Sequence, residues 1–257
     1  MKSKIDKIKA KKNKVPIVCL TAYSKNFSII LDKYCDIILV GDSMANVLYG
    51  MKNTHKITLD TIIQHSISVK KGIRNSLLVV DMPKGSYENP VQARKNAQLI
   101  LKKTNCDAVK IESNNKNFKI ITEITKAKIP VMGHIGYTPQ YKKKFKVEGK
   151  NKKEIMRLVK EAALIEKAGA FSIVLECITP HLAKKITDTL KIPTIGIGSS
   201  SYCDGQILVT DDILGLSGFY PKFVKKYVNL NNIIELGIKK YKKAVLNRSF
   251  PNKKNIF

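Results

Sequence analysis

Short apolar runs rich in β-branched residues recur along the chain, and each ends in a polar or glycine-containing cluster. They predict strands at Ile17–Ala22, Ile37–Val40, Leu77–Asp81, Ala108–Glu112, Val131–His134, Ser172–Glu176, Thr194–Gly198 and Ile207–Val209. Most are apolar at nearly every position rather than at every second one. That is the pattern of parallel strands buried on both faces. Between them the apolar spacing becomes helical. Leu59–Gly72 places Ile62, Ile63, Ile67 and Val69 along one side and stops at a glycine. Pro90–Lys103 opens on a proline suited to a first helical turn. Lys153–Ala168, Pro180–Leu190 and Asn232–Leu246 continue the series. No Gly-, Ser- or Pro-rich linker divides the chain, and only the strand-then-helix rhythm repeats. The expectation is an α/β fold, a single (β/α)8 TIM barrel over residues 1–257, with residues 1–14 as a basic lead-in helix or arm. An open doubly wound sheet is the second choice.

Composition narrows the classes. The 257 residues carry 47 Lys plus Arg against 20 Asp plus Glu, a formal charge of +27. Such a charge suggests nucleic acid, but 43 of the 47 bases are Lys and only 4 are Arg. Arg is the side chain that reads phosphates and bases bidentately. Ile and Asn are also abundant, so a coding bias toward AT-rich codons accounts for lysines on solvated helix faces. No nucleic-acid partner is expected, while a basic field still attracts small anions. The apolar runs are too short for a transmembrane helix, so no membrane partner is expected. Five scattered cysteines, with no CxxC pair, are neither a disulfide framework nor a zinc cluster. They fit a reducing, cytoplasmic setting. The run Val15–Leu20 is too short for a signal-peptide core.

A barrel makes a statement about chemistry, because active groups gather at the carboxyl ends of several strands. Polar residues fall there. The second strand runs into Gly41-Asp42-Ser43, the third ends in Asp81, and the fourth carries Lys110 and Glu112 two apart, hence on one side. The fifth ends in His134 and the sixth in Glu176. Asp42, Asp81 and Glu112 would form an oxygen-only rim suited to Mg²⁺ or another hard cation. Each residue also has a plainer role. A strand-end Asp can cap a helix, His134 can be a core or auxiliary histidine, and Glu176 can sit in a structural ion pair. Lys110, in an apolar strand beside a carboxylate, points to a buried anion. An unpaired Glu176 would be costly to bury, which makes it a candidate acid or base.

The motifs LTAYS (Leu20–Ser24), ILVGDS (Ile38–Ser43), VVDMPKGSY (Val79–Tyr87), AVKIE (Ala108–Glu112), PVMGHIGYTPQ (Pro130–Gln140), AGAFSIVLE (Ala168–Glu176) and IPTIGIGSSSYCDGQILV (Ile192–Val209) occur in one order, with PKF at Pro221–Phe223. Together they resemble the ketopantoate hydroxymethyltransferase family over roughly residues 15 to 251. The resemblance implies a (β/α)8 barrel with one Mg²⁺ per subunit. It implies transfer of a one-carbon unit from 5,10-methylenetetrahydrofolate to 3-methyl-2-oxobutanoate through an enolate. The product is 2-dehydropantoate, for pantothenate and coenzyme A. Carried over by motif, Asp42, Asp81 and Glu112 are metal-site carboxylates. Asp42, Ser43, Asp81 and Lys110 contact the keto acid, and Glu176 accepts the proton. His134 and a metal-bound water remain alternative bases. The family also implies a homo-oligomer, decameric in its known members. Several residues depart from its pattern: Met44-Ala45-Asn46 after the GDS motif, Ser113-Asn114 for a Gly-Gly pair, Ser199-Ser200-Ser201, Lys84 for Phe, and Glu148 for Gln. They bear on loop geometry and folate contacts, and none removes a carried-over acid or base.

Two other classes stay open at this point. A Mg²⁺-dependent lyase or mutase of the isocitrate lyase or phosphoenolpyruvate mutase type would also use a barrel and a 2-oxo acid. It would carry a KKCGH-like cysteine loop, which this chain lacks. A basic nucleic-acid-binding module would show steep salt dependence.

Overall fold

The computed structural model describes residues 3–113, 118–142, 144–218 and 220–257. Its strands are β1 Ile17–Thr21, β2 Ile37–Val40, β3 Leu77–Asp81, β4 Ala108–Glu112, β5 Val131–Gly136, β6 Ser172–Glu176, β7 Thr194–Ile197 and β8 Gly205–Leu208. All neighbours pair in parallel, in chain order, and β8 closes on β1. The helices are α1 Lys4–Ala10, α2 Lys25–Leu31, α3 Met44–Val47, α4 Leu59–Lys70, α5 Pro90–Thr104, α6 Phe118–Lys126, α7 Lys152–Lys167, α8 Pro180–Thr189, α9 Thr210–Ile213 and α10 Leu230–Leu246. This is the (β/α)8 barrel that the run pattern predicts, not an open sheet. Two compact units appear: residues through Val209 hold the whole barrel, and Thr210–Phe257 hold α9 and α10. Among the described residues no helix is long and apolar enough to cross a membrane.

Four predicted strands keep their bounds to the residue, and four shift at one end or both. Strand β5 runs two residues further, because Gly136 still pairs with Glu176. Strand β8 begins earlier, because Gly205 is held by both Ile17 and Ile195. Glycine has no strand preference of its own, so only the closure of the barrel reveals it. Helix α6 escapes a pattern reading, since Ile120, Ile121, Thr122, Ile124 and Thr125 are β-branched and look strand-like alone.

The helices are capped as their sequences suggest. Thr58, Asn89 and Asn151 each accept a hydrogen bond from the third residue on, at the starts of α4, α5 and α7. Inside the barrel, Ile17, Cys19, Ile37, Leu39, Leu77, Val79, Ala108, Met132, Val174, Ile195 and Ile207 form one apolar cluster, and Ile8 of α1 joins it. Alternate residues, such as Ile38, Val40, Leu78, Val80, Val109, Ile111, Ile173 and Leu175, join the larger cluster under the helices. The period-two geometry of each strand therefore sorts one apolar run into two cores.

Candidate active site

Along β3 the inward series reads Leu77, Val79, Asp81, and along β4 it reads Ala108, Lys110, Glu112. On β5 it reads Met132, His134, and on β6 Ser172, Val174, Glu176. The same stripe that is apolar at the amino-terminal end becomes ionisable at the carboxyl-terminal end. Asp42 and Ser43 arrive from the turn after β2. The structure thus brings the predicted residues to one end of the barrel. Asp42, Asp81, Lys110, Glu112 and His134 are all buried there.

Their contacts form a chain. Lys110 Nζ lies 2.6 Å from Asp81 Oδ1. Asp81 Oδ2 accepts the Asp42 backbone N–H at 3.0 Å. Gly41 makes room for this: a Cβ there would lie 2.9 Å from Ser43 Oγ and 3.4 Å from Asp81 Oδ2. The Tyr23 hydroxyl and Ser43 Oγ share a hydrogen bond at 2.9 Å. On the other side, His134 stands between two carboxylates, with Nδ1 3.6 Å from Glu112 Oε1 and Nε2 3.2 Å from Glu176 Oε2. The ends of β5 and β6 come very close. Gly136 has φ +95°, and a Cβ on it would sit 2.0 Å from the Glu176 carbonyl oxygen, so only glycine fits.

Burial governs the protonation of these groups. It pushes Glu176 up to about 7, against the lowering pull of Lys110 and Lys142. It also drives Glu112 well above the usual carboxylate range, helped by the charge of Asp42. Asp81 is raised by burial and by Asp42, while Lys110 works against both. Burial alone would lower Lys110, but Asp81, Glu112 and Asp42 overcome it and hold the ammonium charged. His134 is driven down by burial first and by Lys110 second, so its ring stays neutral.

Two side chains that sequence reading left without a role complete the cluster. The Gln140 backbone N–H donates to Glu112 Oε2 at 3.0 Å, and its Nε2 donates to Asp42 Oδ2 at 2.9 Å. The Tyr87 hydroxyl donates to Gln140 Oε1 at 2.5 Å. Both residues lie inside the quoted motifs, yet a loop Gln and a Tyr carry no chemical signal by themselves. Glu148 is buried with Lys142 and Arg157 on its carboxylate. Its backbone bridges to Ile178 just beyond Glu176. Glu148 thus brings a charge that has its own partners. Ser113 donates its backbone N–H to the His134 carbonyl, and Asn114 lies outside the described residues.

The donor set suits a hard cation. Four buried or nearly buried carboxyl groups (Asp42, Asp81, Glu112, Glu176) gather round Lys110, so oxygen donors outnumber positive charges in a poorly solvated place. As placed, however, Asp81 is paired with Lys110 and Gln140 holds Asp42 and Glu112, while neither ring nitrogen of His134 makes a hydrogen bond. Among the described residues no three His, Cys, Asp or Glu side chains stand close enough together to hold a metal ion.

Comparison with known proteins decides the family. Residues 2–253 match the profile described as ketopantoate hydroxymethyltransferase. The chain belongs to that family. It is an enzyme, a transferase. It is 49% identical over 257 residues to the 3-methyl-2-oxobutanoate hydroxymethyltransferase of Pelagibacter ubique, covering 100% of both chains. It is 47% identical to 3-methyl-2-oxobutanoate hydroxymethyltransferase 2 of Zymomonas mobilis, covering 98% of this chain and 94% of that one. Among solved structures, the fold is similar to 2,3-dimethylmalate lyase, a member of the PEP mutase/isocitrate lyase superfamily. The TM-score is 0.62 at 12% identity, over 100% of this chain and 93% of that one. Phosphonopyruvate hydrolase, solved with oxalate and Mg²⁺, gives a TM-score of 0.62 at 12% identity, over 99% and 93%. The lyase and mutase class therefore shares the fold of this transferase, while the sequence places the chain in the hydroxymethyltransferase family.

Proposed function

We propose that this transferase moves a hydroxymethyl unit from 5,10-methylenetetrahydrofolate to 3-methyl-2-oxobutanoate, giving 2-dehydropantoate for pantothenate and coenzyme A synthesis. The observation that carries the reading is the surplus of buried carboxyl groups round Lys110, with Glu176 at the same rim. A Mg²⁺ ion held by Asp42, Asp81 and Glu112, one per subunit, would supply Lewis acidity to the 2-oxo acid and acidify the carbon beside its carbonyl. Lys110 brings a fixed positive charge to the substrate anion and to the enolate that follows. Asp42, Ser43 and Asp81 surround the same place. Glu176, raised to about 7, has the basicity to take the C3 proton near neutral pH. His134, 3.2 Å from Glu176, is a neutral neighbour able to steady that carboxyl group or to share its proton. Release of N10 from the folate methylene carbon leaves an iminium at N5, the enolate carbon bonds to that methylene, and the oxygen of water then replaces N5; the C3 proton and one proton of water end on the two nitrogens of tetrahydrofolate.

The same reading makes the enzyme a cytoplasmic homo-oligomer. Five unpaired cysteines support the setting. An exposed apolar stripe of Ile234, Ile238, Tyr241 and Val245 on α10 supports assembly.

The test is exchange of the C3 proton of 3-methyl-2-oxobutanoate in D₂O, followed by NMR with Mg²⁺ and then with the folate donor. Metal-dependent exchange that disappears in Asp81→Ala, and 2-dehydropantoate once the donor is added, are expected. Cleavage of isocitrate-like acids without folate, or exchange untouched by Asp81→Ala, would overturn the reading.

A further inference from the structure

Gln140 closes the run PVMGHIGYTPQ, and no step of the proposed reaction uses it. It is fully buried. Its backbone N–H holds Glu112 Oε2, and its Nε2 divides two hydrogens between Asp42 Oδ2 and the Met82 carbonyl oxygen, the latter at 3.1 Å. Its Oε1 takes the Tyr87 hydroxyl proton. One residue thus joins carboxylates that stand 98 and 28 positions away in the chain. The amide cannot be reversed at low cost, because Oε1 would then face two acceptors, the Asp42 carboxylate and the Met82 carbonyl. Burial keeps the Tyr87 phenol well above its ordinary range, so it remains a donor. The loop is anchored next to Gln140 as well: His55 Nε2 lies 3.0 Å from the Pro139 carbonyl oxygen, and Tyr141 and Lys142 donate their N–H groups to Thr138.

A donor on one oxygen of a carboxylate fixes its rotation. A neutral amide does this without bringing a positive charge that would compete with a cation, as a lysine would. Groups of this kind, behind the ligands, set metal affinity nearly as strongly as the ligands do. We infer that Gln140 is a positioning residue, oriented by Tyr87, that sets the rotation of Asp42 and the seat of Glu112 and thereby the affinity of a divalent cation at this rim. The inference rests on the proposed reading of those carboxylates as the cation's holders.

The test uses Mn²⁺ as the probe, its free ion counted by electron paramagnetic resonance, on the full chain without substrates. Gln140→Met preserves bulk and removes both polar ends. It is expected to weaken Mn²⁺ binding about 10- to 100-fold, with cooperative thermal unfolding retained. Tyr87→Phe is expected to weaken binding less, and to add nothing in the Gln140→Met background, since it acts only through the amide. Unchanged or tighter binding in Gln140→Met overturns the inference, as does full additivity of the two changes. If Gln140→Met does not fold, Tyr87→Phe decides alone, and native affinity there overturns it. Asp81→Ala separates the two levels. If wild-type chain binds no Mn²⁺, or if Asp81→Ala leaves binding intact, the reading of the carboxylate rim fails and this inference falls with it.

Discussion

The two ends of the barrel interior are built from the same strands and obey opposite rules. At the amino-terminal end, Ile17, Ile37, Leu77, Ala108 and Ile195 pack against one another and against Ile8 of α1. At the carboxyl-terminal end, two to four residues further along, Asp81, Lys110, Glu112 and His134 are buried, with Glu176 half-buried beside them, and their ionisable groups lie within 2.6 to 3.6 Å of one another in pairs. The first arrangement gains free energy from water-excluded apolar area. The second gives some of it back, since several carboxyl groups are held above their ordinary protonation range. One end holds the barrel closed, and the other uses that rigidity to keep ionisable groups where they would not choose to be.

The largest expected effect comes from breaking the charged end. Glu176→Gln removes the proposed base and should lower turnover about 10²- to 10⁴-fold. The same change should raise thermal stability above pH 7. Glu176 is shifted upward from 4.5 to about 7. A raised carboxyl contributes stability that is full below about 4.5 and is lost as pH rises through about 7, by up to roughly 3 kcal/mol. Calorimetry across pH 4 to 8 checks the sign: the metal-free wild type should lose stability over that window more steeply than the variant. The same group predicts that kcat/KM rises as pH increases through about 7, because only the ionised carboxylate accepts a proton. A pH-rate profile that is flat there would remove Glu176 from the role.

Breaking the apolar end should do the reverse. Ile37 is fully buried and pairs in register with Cys19 and Leu77. Ile37→Ala should cost about 2 to 5 kcal/mol in denaturant unfolding, through lost transfer energy and the cavity left behind. Turnover per folded molecule should stay within about twofold, since the charged end remains intact. A specific loss of turnover would mean that the two ends are coupled more tightly than their separate cores suggest. The smallest effect is expected outside both. Lys184 and Asp188 form an exposed pair at 2.7 Å on α8, and Lys184→Ala should leave melting temperature and kcat alike unmoved.

Much of this contrast is legible before folding. The β-branched runs of β2, β3, β4 and β6 define their strands to the residue, because a strand buried on both faces needs apolar side chains at consecutive positions. The two-residue period already places Lys110 and Glu112 together. The rule that active groups lie at carboxyl ends singles out Asp42, Asp81, His134 and Glu176. Gln140 and Tyr87 escape, because their importance lies in which atoms they meet rather than in what they are. A loop glutamine is common, and nothing local says that its amide spans from β5 to the turn after β2. The early start of β8 at Gly205 escapes for the same reason, since the residue is a strand member only through Ile17 and Ile195.

Residue type and period thus suffice for the kind of fold, the eight strands, the end at which the ionisable residues gather and the family to which the chain belongs. These depend on local apolar spacing and on short motifs, both written in consecutive residues. Closure of the barrel decides the rest: that Asp81 meets Lys110, that His134 stands between Glu112 and Glu176, and that Gln140 ties Asp42 to Glu112. It also decides how far each carboxyl group departs from its ordinary acidity. Burial and charge are sums over neighbours that lie far apart in the chain, and they take their values only when the strands have met.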